Sequence, residues 1–553
     1  MFAYEIKKVL PVDNNLSLKE CEKILVPEDI CLGILDENRE ITSFVLKEDL
    51  NRVLKFNINN YPINLISTLA DVIDINIENI SELQVKKHVK PGLNKGVFVG
   101  KNRKEISHLI INKDIYTEKK EVFLVEEYAK NIPDEIKKAL DLCSKAADKI
   151  NLPIFIIGGV VRDIIIGKKS VDIDITVEES AIEFSRFLRK QYPDIFKIKE
   201  LHEDFKTAKV VFTINNKNIE LDIASTRKEI YSHPASLPQV SQIGCDIKDD
   251  ILRRDFTINS MALSLNQVSF CKLIDPLDGY NDLKEGKIRI LHPISSVDDP
   301  TRIIRALKFS IRFNYEFEKA TKYLINTCLN SGLFDNLGGE RIKSEIKQTF
   351  NLNKSESLNR FVEEKIYYLV NKNIQIPQNL RDLSLKCRKV ISKYQKFIDT
   401  PDLIWLIYLG TLLINSSKDE ISQTAAKLYL SGLETEILVG SKNIQNNIAQ
   451  IKQAQTRFQI YEQFEGYFSE SILITLIIVE DEEVEKKIDL YLNELQYIKI
   501  NTTGKSLIEK GLTPGPVFGE ILRELLQAKI NQEINTPEEE QEYIKKFLPR
   551  KRR

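Results

Sequence analysis

The segment that most constrains this chain is IFIIGGVVRDIIIGKKSVDIDITV, residues 154–177. Ile154 to Ile157 form an apolar run that reads as a buried strand; Gly158 and Gly159 break it, and VVRDIII runs on as a short helix. Two glycines at a strand-to-helix turn leave bare N–H groups at the positive end of a helix, which suits a triphosphate. Arg162 and Asp163 follow one turn in. Asp172 and Asp174 then alternate with Val171, Ile173 and Ile175. A strand has a side-chain period of two, so both carboxylates should leave one face, about 7 Å apart at the backbone. Such a pair can converge on a metal cluster, although alternation alone also describes a strand with one wet face. The glycine turn 14 residues before Asp172 favours the chemical reading.

NIELDIASTR offers a third carboxylate. With Ile219, Leu221 and Ile223 facing inward, Asp222 and Glu220 point the other way. Asp222 can complete the cluster if its strand lies beside that of Asp172; Glu220 is the rival, and a solvated face is the alternative to both. Downstream, RRDFTINS carries Arg254, Asp255 and Asn259, and DPLDGYNDL carries Asp275, Asp278, Gly279 and Asp282, which read as turn formers. DDPTRIIRALKF reads as a helix start, with Asp299 as N-cap and Pro300 at the first helical position. Arg302, Arg305 and Lys308 recur at three-residue steps and predict one basic face. Gly504-Lys505-Ser506 imitates the end of a P-loop, but Lys499 stands where that motif needs glycine, so a helix-capping loop is expected.

GGVVRD, DIDIT, RRDFTINSMAL, DPLDGYNDLKEGKIR and DDPTRIIRALKF stand in the order found in class II nucleotidyltransferases. The chain resembles that group strongly from about residue 152 to 313 and weakly beyond, where TGKSLIEKGLTPGPVFGEIL looks like its tail segment. The group holds CCA-adding tRNA enzymes, their CC-adding and A-adding specialists, and bacterial poly(A) polymerases. Two departures stand out: the usual Glu-Asp pair is Asp298-Asp299 here, and a frequent Gly-Gly is Asp278-Gly279.

The resemblance implies an α+β protein, with a nucleotidyltransferase head of small mixed sheet and helices followed by helical neck, body and tail. The expected divisions are 130–290 for the head, 291–375 for a neck that binds the base and RNA, and 376–553 for a tRNA-binding body and tail. The implied reaction adds CCA, or its terminal A, to the 3′ acceptor end of tRNA from ATP and CTP, without a template. Two Mg2+ ions would be held by Asp172 and Asp174, with Asp222 as a third catalytic carboxylate. Gly158, Gly159, Arg162, Asp163, Arg254, Asp255, Asn259, Asp299, Arg302, Arg305 and Lys308 would bind nucleotide. Among them Asp255 and Asn259 would read the ribose, Arg162, Arg254 and Arg305 would face the triphosphate, and Asp299 with Arg302 would read the base.

Residues 1–125 carry a repeat at an offset near 65, GILDENREITSFVLKEDL from Gly33 and VFVGKNRKEISHLIINKDI from Val97. Each reads as strand, turn, strand and acidic helix start, and the pair resembles CBS modules, which often hold adenine nucleotides. Nucleotide-binding repeats usually carry Thr or Ser three residues before the Asp; here Leu46 precedes Asp49 and Ile111 precedes Asp114. A folded spacer or a dimerisation module, hence a homodimer, is the expectation, with nucleotide addition surviving its removal.

Composition sets outer limits. Lys and Arg number 80 and Asp and Glu 81, so any RNA must meet locally clustered charge. One such cluster is Lys545, Lys546, Arg550, Lys551, Arg552 and Arg553, which reads equally as a frayed tail. Seven scattered cysteines without a C-x-x-C pair read as reduced thiols of a cytoplasmic protein. The longest apolar run, Leu403 to Ile414, is too short to span a membrane and reads as a core helix. Two rivals stand beside tRNA addition: a poly(A) polymerase acting on mRNA, which would usually bring strongly basic extensions, and a non-catalytic RNA-binding or nucleotide-sensing protein, which would not need the Asp172/Asp174 pair.

Overall fold

The computed structural model describes residues 4–24, 27–75, 77–79, 89, 96–112, 121–203, 205–334, 339–398 and 401–547. The chain divides into two compact units, residues 1–337 and 338–553. The division falls inside the 291–375 segment.

The first unit holds two seven-stranded sheets. One comprises β1 (Tyr4–Asp13), β2 (Ile30–Leu35), β3 (Ile41–Val45), β4 (Thr68–Leu69), β5 (Asp71–Ile73), β6 (Gly96–Gly100) and β7 (Ile106–Asn112), in the order β4-β3-β2-β1-β7-β6-β5. The two sequence repeats form the hairpins β2-β3 and β6-β7, one on either side of β1. Helix α1 (Leu18–Ile24) joins β1 to β2, and α2 (Lys47–Leu54) follows β3. The helix start expected after the second repeat, with Asp114, lies outside the described residues. Leu46 and Ile111, at the positions that carry hydroxyls in nucleotide-binding repeats, are buried in one cluster with Phe44 and Phe98, whose rings meet edge to face at 6.0 Å.

Helices α3 (Val125–Asn131) and α4 (Asp134–Lys149) lead into the second sheet. The predicted face of α4, Ile136, Leu140, Cys143 and Ala147, is buried as its spacing requires. The second sheet contains β8 (Ile154–Ile157), β9 (Asp174–Val177), β10 (Phe196–His202), β11 (Thr207–Ile214), β12 (Lys217–Ser225), β15 (Ala262–Ser264) and β16 (Leu273–Ile274), in the order β10-β11-β12-β9-β8-β15-β16. A separate hairpin, β13 (Arg227–Ile230) with β14 (Gln239–Ile243), covers the STRKEIYSHPASLPQV segment. The intervening helices are α5 (Gly159–Ile165), α6 (Ala181–Gln191), α7 (Ile247–Leu252), α8 (Gly279–Glu285), α9 (Ser295–Asp298), α10 (Thr301–Phe313) and α11 (Lys319–Asn330).

The second unit is helical throughout its described residues. Its centre is the apolar helix Ile404–Leu412, buried on every side as the sequence run predicts. It packs against Ser469–Ile478 so closely that a Cβ on Gly410 would stand 2.5 Å from Ile474 Cδ1. Gly504, Lys505 and Ser506 do open a helix, whose N-cap Thr503 accepts from the Ser506 N–H in a capping box. Lys545 pairs with Glu542, and Lys546 lies 3.8 Å from the centre of the Tyr543 ring. Arg550 to Arg553 lie outside the described residues. Among the described residues, no helix is long and apolar enough to cross a membrane, and all seven cysteines are free and buried.

Candidate active site

The site lies at one end of β9. Parallel pairing sets Asp174 opposite Asp222 of β12, so the two carboxylates start from adjacent strands in register. Asp172 does not belong to the strand: β9 begins at Asp174, and Asp172 sits in the bend before it, its carbonyl accepting from the Ser170 hydroxyl at 3.4 Å. The expected alternation therefore fails at its first member, and Val171 is 70% exposed while Ile173 and Ile175 are buried. The ladder with β12 begins only at Asp174. Asp172 is nonetheless close enough to act on Asp174. Packing around Asp174 and the Asp172 charge push its carboxyl above the ordinary value; Asp222 adds to this and Arg254 opposes it. Asp222 lies 3.8 Å from Lys209, whereas its rival Glu220 is drawn to Lys199 at 2.7 Å, on the β10 side of the sheet.

Among the described residues, no three acidic, His or Cys side chains already converge as a metal shell. The observation that fits a cation is electrostatic: burial and the Asp172 and Asp222 charges push the Asp174 carboxyl up, and Arg254 opposes them. Oxygen ligands of this kind suit Mg2+, which takes one or two carboxylates and keeps waters or substrate oxygens for the rest of its shell.

The glycine turn stands beside this edge. Gly158 has φ 77°, a left-handed conformation that favours glycine, and a Cβ there would stand 3.0 Å from Arg254 Nη1. Arg254 thus lies over the turn while its Nη2 donates to Asp250 at 3.0 Å and its buried Nε has no partner. Gly159 faces Arg162, whose guanidinium would be 3.3 Å from an added Cβ.

Arg162 is buried and engaged: it donates to Asp163 at 3.0 Å and to Asn259 Oδ1 at 2.5 Å, and it stacks on Phe313 with 4.6 Å to the ring centre. Asn259 in turn donates to Asp255 at 3.1 Å, and Arg305 grips the other Asp255 oxygen at 2.5 and 3.0 Å. Burial works against the Asp255 charge, but Arg305 and Asn259 outweigh it and hold the carboxyl below its usual range. Five expected nucleotide residues thus form one chain, Asp163–Arg162–Asn259–Asp255–Arg305. Asp255 is committed within it.

Helix α10 begins at Thr301, with Pro300 in the cap position; Asp299 caps from one residue further out, its Oδ1 accepting from the Thr301 N–H at 3.1 Å and hydroxyl at 2.6 Å. Arg302 and Lys308 are buried, so the predicted basic face looks into the protein. Arg302 donates to Ser295 Oγ at 2.8 Å, the Tyr231 hydroxyl at 3.2 Å and the Arg253 carbonyl at 3.0 Å. Lys308 lies 5.6 Å from the Phe309 ring centre. Asp275 and Asp282 form structural bonds: Asp275 accepts from the Gly279 and Tyr280 N–H groups, and Asp282 from Thr257 and Arg289.

Sequence reading missed Asp250, Arg253, Tyr231 and Glu229. Asp250 is a buried node for Arg253 and Arg254, and Glu229 pairs with Arg227 and Arg253. The run DDILRRD held the signal, since Asp250 sits three and four residues before two arginines on a helical turn. Tyr231 had none, because its contact with Arg302 spans 71 residues.

A family model described as "Poly A polymerase head domain" matches residues 154–289. The A-adding tRNA nucleotidyltransferase of Halalkalibacterium halodurans is 31% identical over 68% of this chain and 84% of its own length. That of Geobacter sulfurreducens is 30% identical over 72% of this chain but 45% of its own, so this chain spans less than half of that relative. The solved Thermotoga maritima CCA-adding enzyme complexed with tRNA superposes with a TM-score of 0.63 at 25% identity, covering 78% of this chain and all of that one. With the ordered motifs and the carboxylate edge set as described, the chain belongs to the tRNA nucleotidyltransferase family built on the poly(A) polymerase head domain.

Proposed function

We propose that this chain adds nucleotides to the 3′ end of tRNA without a template, from ATP and CTP, with the terminal A as the addition its A-adding relatives favour. The observation that carries the reading is the pairing of Asp174 with Asp222, with Asp172 beside them and the Arg254-covered glycine turn adjacent. In the reaction the tRNA 3′-hydroxyl oxygen attacks the α-phosphorus, its proton leaves, and the bond to the departing pyrophosphate breaks. Nucleotidyltransferases of this family use divalent metal ions. Asp172 and Asp174, helped by Asp222, would hold two Mg2+ ions, which when bound activate the hydroxyl and neutralise the leaving group.

The other residues divide by what already holds them. Arg254, with an unpartnered buried Nε, would take triphosphate oxygens at the glycine turn. The Asp163–Arg162–Asn259–Asp255–Arg305 chain would fix the ribose wall as one rigid unit. Asp299 would accept from the exocyclic amino group of adenine or cytosine while Arg302 donates to the ring nitrogen; guanine and uracil oppose both. Three of the five Arg302 donors are already engaged, so the pair is oriented before the base arrives. Seven buried thiols suit a reducing, cytoplasmic setting.

The test is to sequence the 3′ ends made from tRNA transcripts that end before the first C, after CC, and complete. A single A on the CC transcript is the expected product. Long A tails on unrelated RNA would transfer the activity to poly(A) synthesis.

A further inference from the structure

Beside the α10 start lies Asp298, a carboxylate that the proposed reaction does not use. Its side chain is 0% exposed, and its Oδ2 accepts from Arg52 Nη2 at 2.5 Å. Arg52 sits in the last turn of α2, in the N-terminal sheet region, 246 residues earlier in the chain. The other carboxylate oxygen, Oδ1, has no hydrogen-bond partner, and His292 Nε2 stands 3.8 Å from Oδ2. A buried carboxylate so sparsely held leans heavily on its one guanidinium.

Asp298 also ties together the parts that would read the base. It precedes Asp299 directly, and its carbonyl accepts from the Ala235 N–H at 3.0 Å. Ala235 lies in the loop that carries Tyr231, and the Tyr231 hydroxyl accepts from Arg302. The α9 helix that ends at Asp298 begins at Ser295, whose hydroxyl accepts from Arg302 as well. Contacts from α11 hold the N-terminal region in place nearby, with Ser67 Oγ and the Tyr323 hydroxyl 3.1 Å apart.

We propose that Arg52 is a positioning residue for nucleotide selection: through Asp298 it sets Asp299 and Arg302, so that the N-terminal region takes part in choosing the base. This rests on the nucleotide-adding reading for its biological meaning, but not for its test. It also departs from the expectation that residues 1–125 are a dispensable spacer, since their removal would take Arg52 away from Asp298.

The test measures equilibrium binding of MgATP and MgGTP to the full chain, without RNA, for wild type, Arg52→Ala, Arg52→Lys and the double variant Arg52→Ala/Asp298→Asn. Wild type should prefer ATP. Arg52→Ala should narrow that preference about tenfold, within the usual range for coupling between sites. Arg52→Lys keeps the charge and should keep most of the preference. If Arg52→Ala does not fold, the double variant leaves no orphan carboxylate and should fold with the same narrowing. A wild-type ATP:GTP preference in folded Arg52→Ala or in the folded double variant overturns the proposal, because a brace that only stabilises would lower the unfolding temperature and leave the ratio unmoved. Equal binding of ATP and GTP by wild type overturns it too. A wild type that prefers ATP yet adds nothing to tRNA would defeat the proposed function and leave this inference standing.

Discussion

The acidic edge of β9 and the start of α10 both concentrate carboxylates, and they treat them in opposite ways. At the edge, burial and the Asp172 and Asp222 charges press on Asp174, with Arg254 opposing them, and Lys209 stands 3.8 Å from Asp222. At the helix start and its neighbour Asp255, each carboxylate already has a donor from the protein: Arg52 for Asp298, Thr301 for Asp299, Arg305 for Asp255. The first arrangement leaves charge over for something that comes from solution. The second is largely engaged by the fold, so its state depends chiefly on packing.

The largest effect should come from the edge. Asp172→Ala or Asp174→Ala should lower nucleotide addition about a thousandfold or more, with tRNA binding and the unfolding temperature little changed. Near-normal turnover in single-turnover assays would break the comparison at once. Next, Arg305→Ala should destabilise the protein by about 3–5 kcal/mol in urea unfolding, because it strands the buried Asp255. Asp255→Asn added to Arg305→Ala should restore much of the loss, and a stable single variant would show that the helix start is not completed as described.

Asp298 gives a pH signature. Burial raises its carboxyl to about 6, against the pull of Arg52 and Arg302 and with Asp299 adding to the rise; the neighbouring His292 is held neutral by its own burial. Because the folded chain keeps this proton longer than the unfolded chain, the group costs stability as pH rises from about 4 to about 6, by about 3 kcal/mol in full. Asp298→Asn should therefore gain on wild type across that window, and parallel stability curves would contradict it. The smallest effect belongs to Asp299→Ala. Discrimination against GTP and UTP should fall by about 1–3 kcal/mol, with about 1 kcal/mol of capping lost as well. Strict refusal of GTP and UTP by that variant would move base reading elsewhere.

Local pattern made the head visible in sequence. The apolar face of α4, the β8 strand, the glycine turn and the inward Leu221 and Ile223 follow from periods of 3.6 and 2 that neighbours along the chain impose. Asp222 could be named only conditionally, since its register with Asp174 is set by a ladder across 48 residues. The strand start was misplaced because alternation cannot show where a ladder ends, and Val171 is exposed in consequence. The motifs assign Arg162 and Asp255 to the nucleotide but not their partners, which lie about 50 to 100 residues away. Arg52 gave no sign at all: an arginine on an amphipathic helix looks like surface until the fold sets a buried acid beside it.

The place of β1 in its sheet bears on how the chain is made. It lies at the middle of seven strands, parallel to β2 on one side and antiparallel to β7, residues 106–112, on the other. On the ribosome the β1 to β4 half can assemble early, but one flank of β1 stays open until some hundred further residues have emerged. An open strand flank is a template for the wrong partner. The residues on it are suited to waiting: Lys7 and Lys8 bring charge, and Pro11 removes an N–H beyond the stretch that β7 will cover. Translation that stalls before residue 106 would leave that flank of β1 unpaired and open to aggregation.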